Sequence, residues 1–211
     1  AVICGYGFTP NTSLARMIGC GFAFDTQTRQ WLPNRDADLR ADAPGVYLAG
    51  DGARIGGAGL GRLEGRLAGW TAALDAGKID TARATALRQE LQPALAQQRR
   101  FSAFLNTYFT PPAGLRAALH DETPLCRCEE VTLGRVRSAV ADGARTIGEV
   151  KMITRAGMGN CQGRMCERAI ADAIQAAANG AAHLDAIGMY TIRPPLVPLT
   201  IDFLIRAGRE E

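Results

Sequence analysis

The chain has 211 residues, of which 47% are apolar and 21% charged, and a formal net charge of +3. This balance is typical of globular proteins, and no basic run interleaved with aromatic residues indicates nucleic-acid binding. No stretch approaches the roughly 20 apolar residues of a membrane-spanning helix. The start, AVICGYGFTP, lacks the features of a signal peptide. We therefore expect a cytoplasmic protein whose six cysteines are ligands or core thiols, not disulfides.

The first predicted region, residues 1–78, alternates apolar runs with glycine turns. It opens on a strand-like run, AVICGYGF, without an initiator methionine, so we expect the C-terminal part of a longer protein. GVYLAGD, residues 45–51, is a short apolar run between turn residues, which predicts a buried strand of a parallel sheet. A glycine-rich loop follows and leads into a helix whose apolar residues recur at helical spacing: Leu63, Leu67, Trp70 and Leu74.

Residues 79–122 are predicted to be a helical connector, in which Pro93 should kink or break the helix. Residues 123–180 predict a small helical domain. Its first helix should run from Leu133 to about Ala141 after a Thr132 cap, and its last from about Arg164 to Ala178. A capping box, TIGE at 146–149, opens the helix between them. The remaining residues, 181–211, carry three prolines within five positions and predict an extended strap.

Four cysteines stand out because they form two close pairs, C-x-C and C-x4-C: Cys126, Cys128, Cys161 and Cys166. Thiolates in tetrahedral geometry suit either zinc or an iron–sulfur cluster. C-x-C is an awkward bite for one zinc ion but can serve a larger cluster. A third possibility is that these cysteines are buried and inert.

The surroundings of the pairs favour a cluster. Cys166 should lie in the first turn of a helix, where backbone N–H groups can donate to sulfur. Glu129 and Glu130, directly after the C-x-C pair, should cap a helix or pair with arginines. Cationic side chains fall near the cysteines in sequence and would offset the negative charge of a cluster: Arg127, Arg155, Arg164 and Arg168.

The other polar candidates are weaker. Cys4 and Cys20 are isolated in apolar or glycine contexts and are predicted to be core thiols. His120 and His183 are single histidines for which a surface or packing role is expected. No residue of this sequence is predicted to be catalytic.

The segment from Leu125 to Ile170 resembles the [2Fe–2S] module of bacterioferritin-associated ferredoxins. It is more similar to the version fused to FAD-containing large subunits of opine oxidases, hydrogen cyanide synthase, and D-hydroxyproline and L-proline dehydrogenases. Its second pair, C-x4-C, departs from the C-x2-C of the stand-alone ferredoxin and is like the fused subunits. The resemblance implies that the four cysteines hold a [2Fe–2S] cluster.

A second resemblance lies upstream. VICGYGFTPN and GVYLAGDGA are similar to segments of two-dinucleotide-binding-fold flavoproteins. It implies FAD contacts at Gly50, Asp51, Gly52 and Ala53, with Asp51 accepting from ribityl hydroxyls and the glycines allowing close approach. The G-x-G-x-x-G motif of such proteins is absent from this sequence. We therefore expect only part of a flavin site, and poor FAD binding by this chain alone.

Together the resemblances imply an α/β remnant of a two-dinucleotide-binding-fold flavoprotein, followed by a small all-α [2Fe–2S]-binding domain. The implied function is electron transfer between FAD and the cluster within an FAD-dependent oxidoreductase. A small amine or imino acid would be oxidised on a companion subunit, and a further acceptor would take the electrons. Two alternatives remain open: a zinc-stapled helical interaction module on a flavoprotein remnant, and part of an NAD(P)H-dependent, nitrite reductase-like flavoprotein.

Overall fold

The structure is a computed structural model that describes residues 7–111, 114–115, 118–178, 180 and 183–207. The chain divides into two compact units, Ala1–Leu119 and His120–Glu211. The cysteine pairs all fall in the second unit. Across the residues that are described, no helix is long and apolar enough to cross a membrane.

The first unit combines a short hairpin with two long helices. The elements in chain order are α1 (Ser13–Met17), β1 (Phe22–Asp25), β2 (Gln30–Pro33), a 3₁₀ turn (Gly50–Gly52), α2 (Gly57–Asp75) and α3 (Thr81–Tyr108). Strands β1 and β2 pair antiparallel, with Phe22 opposite Pro33.

Helices α2 and α3 pack on each other through leucines that repeat at helical spacing. This core consists of Leu39, Leu60, Leu63, Leu67, Ala68, Leu91 and Leu95. Pro93 was predicted to kink or break this helix, and it does not break it, because α3 continues through the proline. Pro93 lies on the exposed face of α3, where water can bond to the backbone groups that proline leaves unpaired. On the opposite face, the buried Leu91 and Leu95 hold the helix against α2.

The segment 45–51 differs from the predicted parallel strand. Its backbone pairs antiparallel with the preceding turn: Leu48 N donates to Leu39 O at 2.9 Å, and Ala41 N donates to Val46 O at 2.8 Å. Within the ranges that the structure describes, all paired strands are antiparallel. A short apolar run predicts burial but does not identify the pairing partner. Residues 1–6, including Cys4 and most of the predicted opening strand, lie outside the described part.

The second unit is a small helical domain that begins with a two-stranded hairpin. Its elements are β3 (Pro124–Cys126), β4 (Val131–Thr132), α4 (Leu133–Ala141), α5 (Ile147–Thr154), α6 (Glu167–Ala177), α7 (Leu184–Ile187) and α8 (Ile201–Ala207). Fully buried aliphatic side chains form its core, among them Val131, Val136, Ile147, Val150, Ile170 and Ile174.

The predicted caps of this unit are confirmed. Thr132 accepts a hydrogen bond from Arg135 N, and Thr146 and Glu149 form a reciprocal capping box at the start of α5. Helix α6 begins three residues later than Arg164, because the segment 161–166 forms turns that carry two of the cysteines.

The tail is extended only in part. The predicted extended strap, 181–211, was wrong at 184–187 and at 201–207, where α7 and α8 form. Between these two helices the backbone carries no regular element as far as Thr200. The prolines end before α8. Thr200 Oγ1 accepts from Phe203 N at 3.2 Å, and Arg206 pairs with Asp202 one turn away at 2.9 Å, which stabilises the short helix.

Candidate metal centre

The four paired cysteines come from two neighbouring parts of the second unit. Cys126 ends strand β3 and Cys128 follows it in the turn towards β4. Cys161 lies in the turns between α5 and α6, and Cys166 is the residue immediately before α6. The fold therefore brings the hairpin that carries the C-x-C pair close to the turns and helix start that carry the C-x4-C pair.

The cysteines differ in exposure. Cys126 and Cys166 are each only 1% exposed, whereas Cys128 is exposed and Cys161 is intermediate. We call Cys126 and Cys166 the inner pair, and Cys128 and Cys161 the outer pair. One side of the site is thus closed to water and the other is open.

Within each pair the two thiols lie close enough to interact. Burial, followed by the nearby Cys126 thiol, raises the pKa of Cys166 to about 12. Burial also raises the pKa of Cys161, but hydrogen bonds from the Met165 backbone and the Cys128 thiol outweigh it, so the net pKa is lowered. Among the described residues, no three His, Cys, Asp or Glu side chains converge on a position for one metal ion.

A backbone donor points at the inner pair. Gly157 N–H donates to Cys126 Sγ at 3.4 Å, and Gly157 has a φ of 85°, which glycine adopts without strain. The sequence predicted such a donor at Cys166, in the first turn of a helix; Cys166 instead lies immediately before α6, and the donor that the structure describes is at Cys126. Gly159 lies against the Cys128 side chain so closely that a Cβ at Gly159 would overlap it.

The predicted arginines stabilise the surrounding loops. Arg164 Nη1 donates to Cys161 O at 3.3 Å and to Gln162 Oε1 at 3.2 Å. Arg155 pairs with Glu129 at 3.0 Å, which confirms the pairing predicted for that glutamate. Of the other two predicted arginines, Arg168 pairs with Asp172 on α6 at 3.0 Å. Arg127, between Cys126 and Cys128 in sequence, is exposed.

Tyr190 is a residue of the site that sequence reasoning missed. It is 3% exposed, and its hydroxyl lies 3.9 Å from Cys166 Sγ. Burial, followed by the nearby Cys166, raises the pKa of Tyr190 above its usual range. A single tyrosine ahead of a proline-rich tail carries no periodic signal, so only the fold reveals its position.

The segment proposed for flavin contact, Gly50–Ala53, lies in the first unit. Gly50–Gly52 form a 3₁₀ turn in which Asp51 and Gly52 are exposed, while Ala53 is 1% exposed. Gly50 has a φ of 58°, and a Cβ there would lie 3.4 Å from the Gly61 backbone. A glycine at this position therefore allows the turn to pack against α2.

A buried ion pair anchors this turn. Glu64, on α2, accepts from Gly50 N at 3.0 Å and from both terminal nitrogens of Arg35 at 2.9 Å. The side chains of Glu64 and Arg35 are 3% and 17% exposed. An adjoining cleft of about 670 Å³ is lined by Ala53, Arg35, Glu64, Arg54 and Arg99 among others.

The remaining candidate residues lie apart from the four paired cysteines. Cys20 is 7% exposed in an apolar cluster with Ala15, Leu48 and Ala53, which confirms a core role. His120 and His183 are both exposed. Cys4 lies outside the described residues.

Comparison with known proteins agrees with this arrangement. Residues 124–176 match the family described as BFD-like [2Fe-2S] binding domain. The chain is 34% identical over 204 residues to an opine oxidase subunit of Rhizobium meliloti, which is 95% of this chain and 38% of that protein. It is 32% identical over 208 residues to hydrogen cyanide synthase subunit HcnB of Pseudomonas aeruginosa, covering 98% of this chain and 43% of that one.

A solved structure shares the fold. The L-proline dehydrogenase from P. horikoshii superposes with a TM-score of 0.66 at 20% identity, over 94% of this chain and 37% of that one. This chain thus spans about two fifths of the length of the curated relatives it matches. Residues 124–176 form a BFD-like [2Fe-2S] binding domain, within a chain homologous to part of that opine oxidase subunit and to part of hydrogen cyanide synthase subunit HcnB.

Proposed function

We propose that the second unit holds one [2Fe–2S] cluster and that the chain transfers electrons between this cluster and FAD in an oxidoreductase. The observation that carries the proposal is the arrangement of four cysteines, as an inner and an outer pair, inside a BFD-like domain. The proposed ligands are Cys126, Cys128, Cys161 and Cys166.

The donor set fits a cluster better than a single zinc ion. A structural zinc site needs four ligands around one point. The described residues instead bring the thiols together as two neighbouring pairs. A [2Fe–2S] cluster takes four thiolates spread over two iron atoms. The hydrogen bond from Gly157 N to Cys126 Sγ is of the kind that stabilises negative charge on a ligating sulfur.

The protein around the cysteines would perform two tasks. The inner pair excludes water and receives a backbone hydrogen bond, which stabilises charge in a site of low dielectric. The outer pair remains accessible, so a redox partner can approach on the Cys128 side. The cluster, when bound, supplies a one-electron carrier.

The flavin part of the proposal depends on the first unit. Gly50, Asp51, Gly52 and Ala53 are the proposed FAD contacts, and the exposed carboxylate of Asp51 can accept from ribityl hydroxyls. Ala53 also lines the cleft of about 670 Å³, in which Arg35 and Arg54 pair with Glu64 and Asp25, respectively, and Arg99 offers positive charge for a phosphate group. These contacts form one edge of a flavin site.

The names of two curated relatives support the proposed substrate class. They are an opine oxidase subunit and hydrogen cyanide synthase subunit HcnB. We infer that the complete enzyme oxidises a small amine or imino acid on a companion subunit. This chain would then relay electrons to a further acceptor.

The experiment is anaerobic reconstitution of the chain with iron and sulfide, addition of FAD, and illumination with a sacrificial donor that reduces the flavin. The expected result is bleaching of the cluster absorption and a reduced-cluster electron paramagnetic resonance signal. The reconstituted chain illuminated without FAD is the control. A cluster that stays oxidised beside fully reduced flavin contradicts the relay. Reduction of the cluster by NADH or NADPH in the presence of added FAD would instead favour the NAD(P)H-dependent reductase.

A further inference from the structure

We propose that Tyr190 is a positioning residue for the cluster. The Tyr190 hydroxyl donates a hydrogen bond to the Cys166 thiolate and thereby raises the reduction potential of the cluster. This role depends on the proposed cluster being bound at the four cysteines. Tyr190 comes from the tail, beyond the residues that match the BFD-like domain.

The geometry places the phenol against the least accessible ligand. The Tyr190 oxygen lies 3.9 Å from Cys166 Sγ, and the two residues are 3% and 1% exposed. That separation is at the outer limit for a hydrogen bond to sulfur. Water has little access to either atom, so the contact is made in surroundings of low dielectric, where hydrogen bonds are stronger.

The direction of the hydrogen bond follows from the ligand chemistry. A cysteine that ligates iron is a thiolate and has no proton to donate, so the phenolic O–H must be the donor. Donation withdraws electron density from the sulfur and stabilises the reduced state, which carries one more negative charge. Hydrogen bonds to the sulfurs are among the factors that set cluster potentials.

The cysteine loop leaves room for the Tyr190 ring. Gly157 and Gly163 both face it, with φ values of 85° and 82°. A Cβ at Gly157 would lie 2.5 Å from the ring, and one at Gly163 would overlap the ring as well. The ring therefore occupies a space that exists because two loop positions lack side chains.

Further contacts hold the tyrosine in place. Tyr190 N donates to Glu167 Oε2 at 2.9 Å, at the start of α6, and Lys151 Nζ lies 5.5 Å from the ring centre. Arg164 Nη2 donates to Leu196 O, which ties the following tail to the turn that carries Cys161. The tail thus fixes the phenol relative to Cys166 from several directions.

The test compares Tyr190→Phe with Tyr47→Phe after cluster reconstitution. Tyr47 is a matched control because its hydroxyl donates to Asp75 at 2.7 Å in the first unit. Each protein is analysed for iron and acid-labile sulfide and then titrated potentiometrically, with visible absorption as the readout. We expect Tyr190→Phe to retain the cluster but to lower its equilibrium constant for reduction about tenfold, or about 59 mV for one electron. Tyr47→Phe should leave the potential unchanged.

The outcomes separate this inference from the proposed function. No cluster in the unsubstituted chain would contradict the proposed function itself. If the unsubstituted chain and Tyr190→Phe both hold a cluster with the same reduction potential, the role of Tyr190 is overturned and the proposed function stands.

A second measurement does not require Tyr190→Phe to fold. Biosynthetic replacement of tyrosine by 3-fluorotyrosine makes each phenol a stronger donor, so the potential should rise, and it should rise equally in a Tyr47→Phe background. An unchanged potential with the fluorinated protein would contradict the proposed hydrogen bond.

Discussion

The cysteine site of the second unit and the Gly50–Ala53 segment of the first are built in different ways. Around the cysteines, a hairpin, a turn and the residue before α6 bring together two neighbouring pairs of thiols, and one backbone N–H donates to Cys126 Sγ. Gly50–Ala53 is a single turn, and its Gly50 N–H is already bound by Glu64. The comparison shows that several elements of one unit bring the cysteines together, whereas the proposed flavin contacts come from a single turn.

The largest effect is expected from replacing a cysteine of the inner pair. Cys166→Ala should abolish the cluster, so iron and acid-labile sulfide per chain fall to background, because it removes one of the four proposed thiolate ligands. Cys20→Ala, which removes a buried thiol from the first unit, is the control and should load normally. Full iron and sulfide in Cys166→Ala would show that Cys166 is not a ligand.

Removing Glu64, which accepts the hydrogen bond from Gly50 N, should lower the stability of the first unit alone. Glu64→Ala leaves the Arg35 charge largely buried without its partner, which costs about 3 kcal/mol of unfolding free energy. Both tryptophans, Trp31 and Trp70, lie in the first unit, so urea unfolding followed by their fluorescence measures it selectively. Cluster loading should not change.

The matched control for that variant is Glu90→Ala. Glu90 pairs with Arg66 on the surface at 3.7 Å, and its removal should change stability by less than about 1 kcal/mol. Equal effects of the two substitutions would contradict a structural role for the buried pair.

The packing of the cysteine loop can be tested at two glycines of similar backbone geometry. Gly163 and Gly180 have φ values of 82° and 75°, but only an added Cβ at Gly163 meets a neighbour, the Tyr190 ring. Gly163→Ala should therefore lower the stability of the second unit by about 1–3 kcal/mol more than Gly180→Ala does. Urea titration followed by cluster absorption measures the difference, and equal losses would mean that the loop does not depend on this contact.

The smallest expected effect is a pH dependence confined to the first unit. Hydrogen bonds from Arg40, and then from Tyr47, lower the pKa of Asp75 to about 2 from an ordinary 3.8. Because the folded-state pKa is lowered, this stabilisation is complete above about pH 4 and is lost as the pH falls towards 2. The urea midpoint from tryptophan fluorescence should therefore fall less between pH 5 and pH 3 in Asp75→Asn. An identical fall in both proteins would contradict this contribution.

Local patterns in the sequence predicted the second unit well. The Thr132 cap and the Thr146–Glu149 capping box depend on neighbouring residues, and both are present. The spacing of the cysteines and the resemblance it carries predicted the family of residues 124–176, which the comparison confirms.

Features that depend on distant packing could not be predicted in the same way. The pairing of residues 45–51 is set by the preceding turn, and the continuity of α3 at Pro93 depends on its contact with α2. Tyr190 reaches Cys166 only because the tail folds back onto the cysteine loop. Each of these depends on a partner that a local sequence pattern does not identify.

The most direct test of the central claim is an anaerobic visible spectrum of the purified chain, with iron, acid-labile sulfide and zinc determined on the same sample. The account predicts about two iron and two sulfide per chain, by the composition of a [2Fe–2S] cluster. The absorption should bleach with dithionite, and little flavin should be retained. One zinc per chain with no colour, in a sample kept anaerobic throughout, would contradict the account.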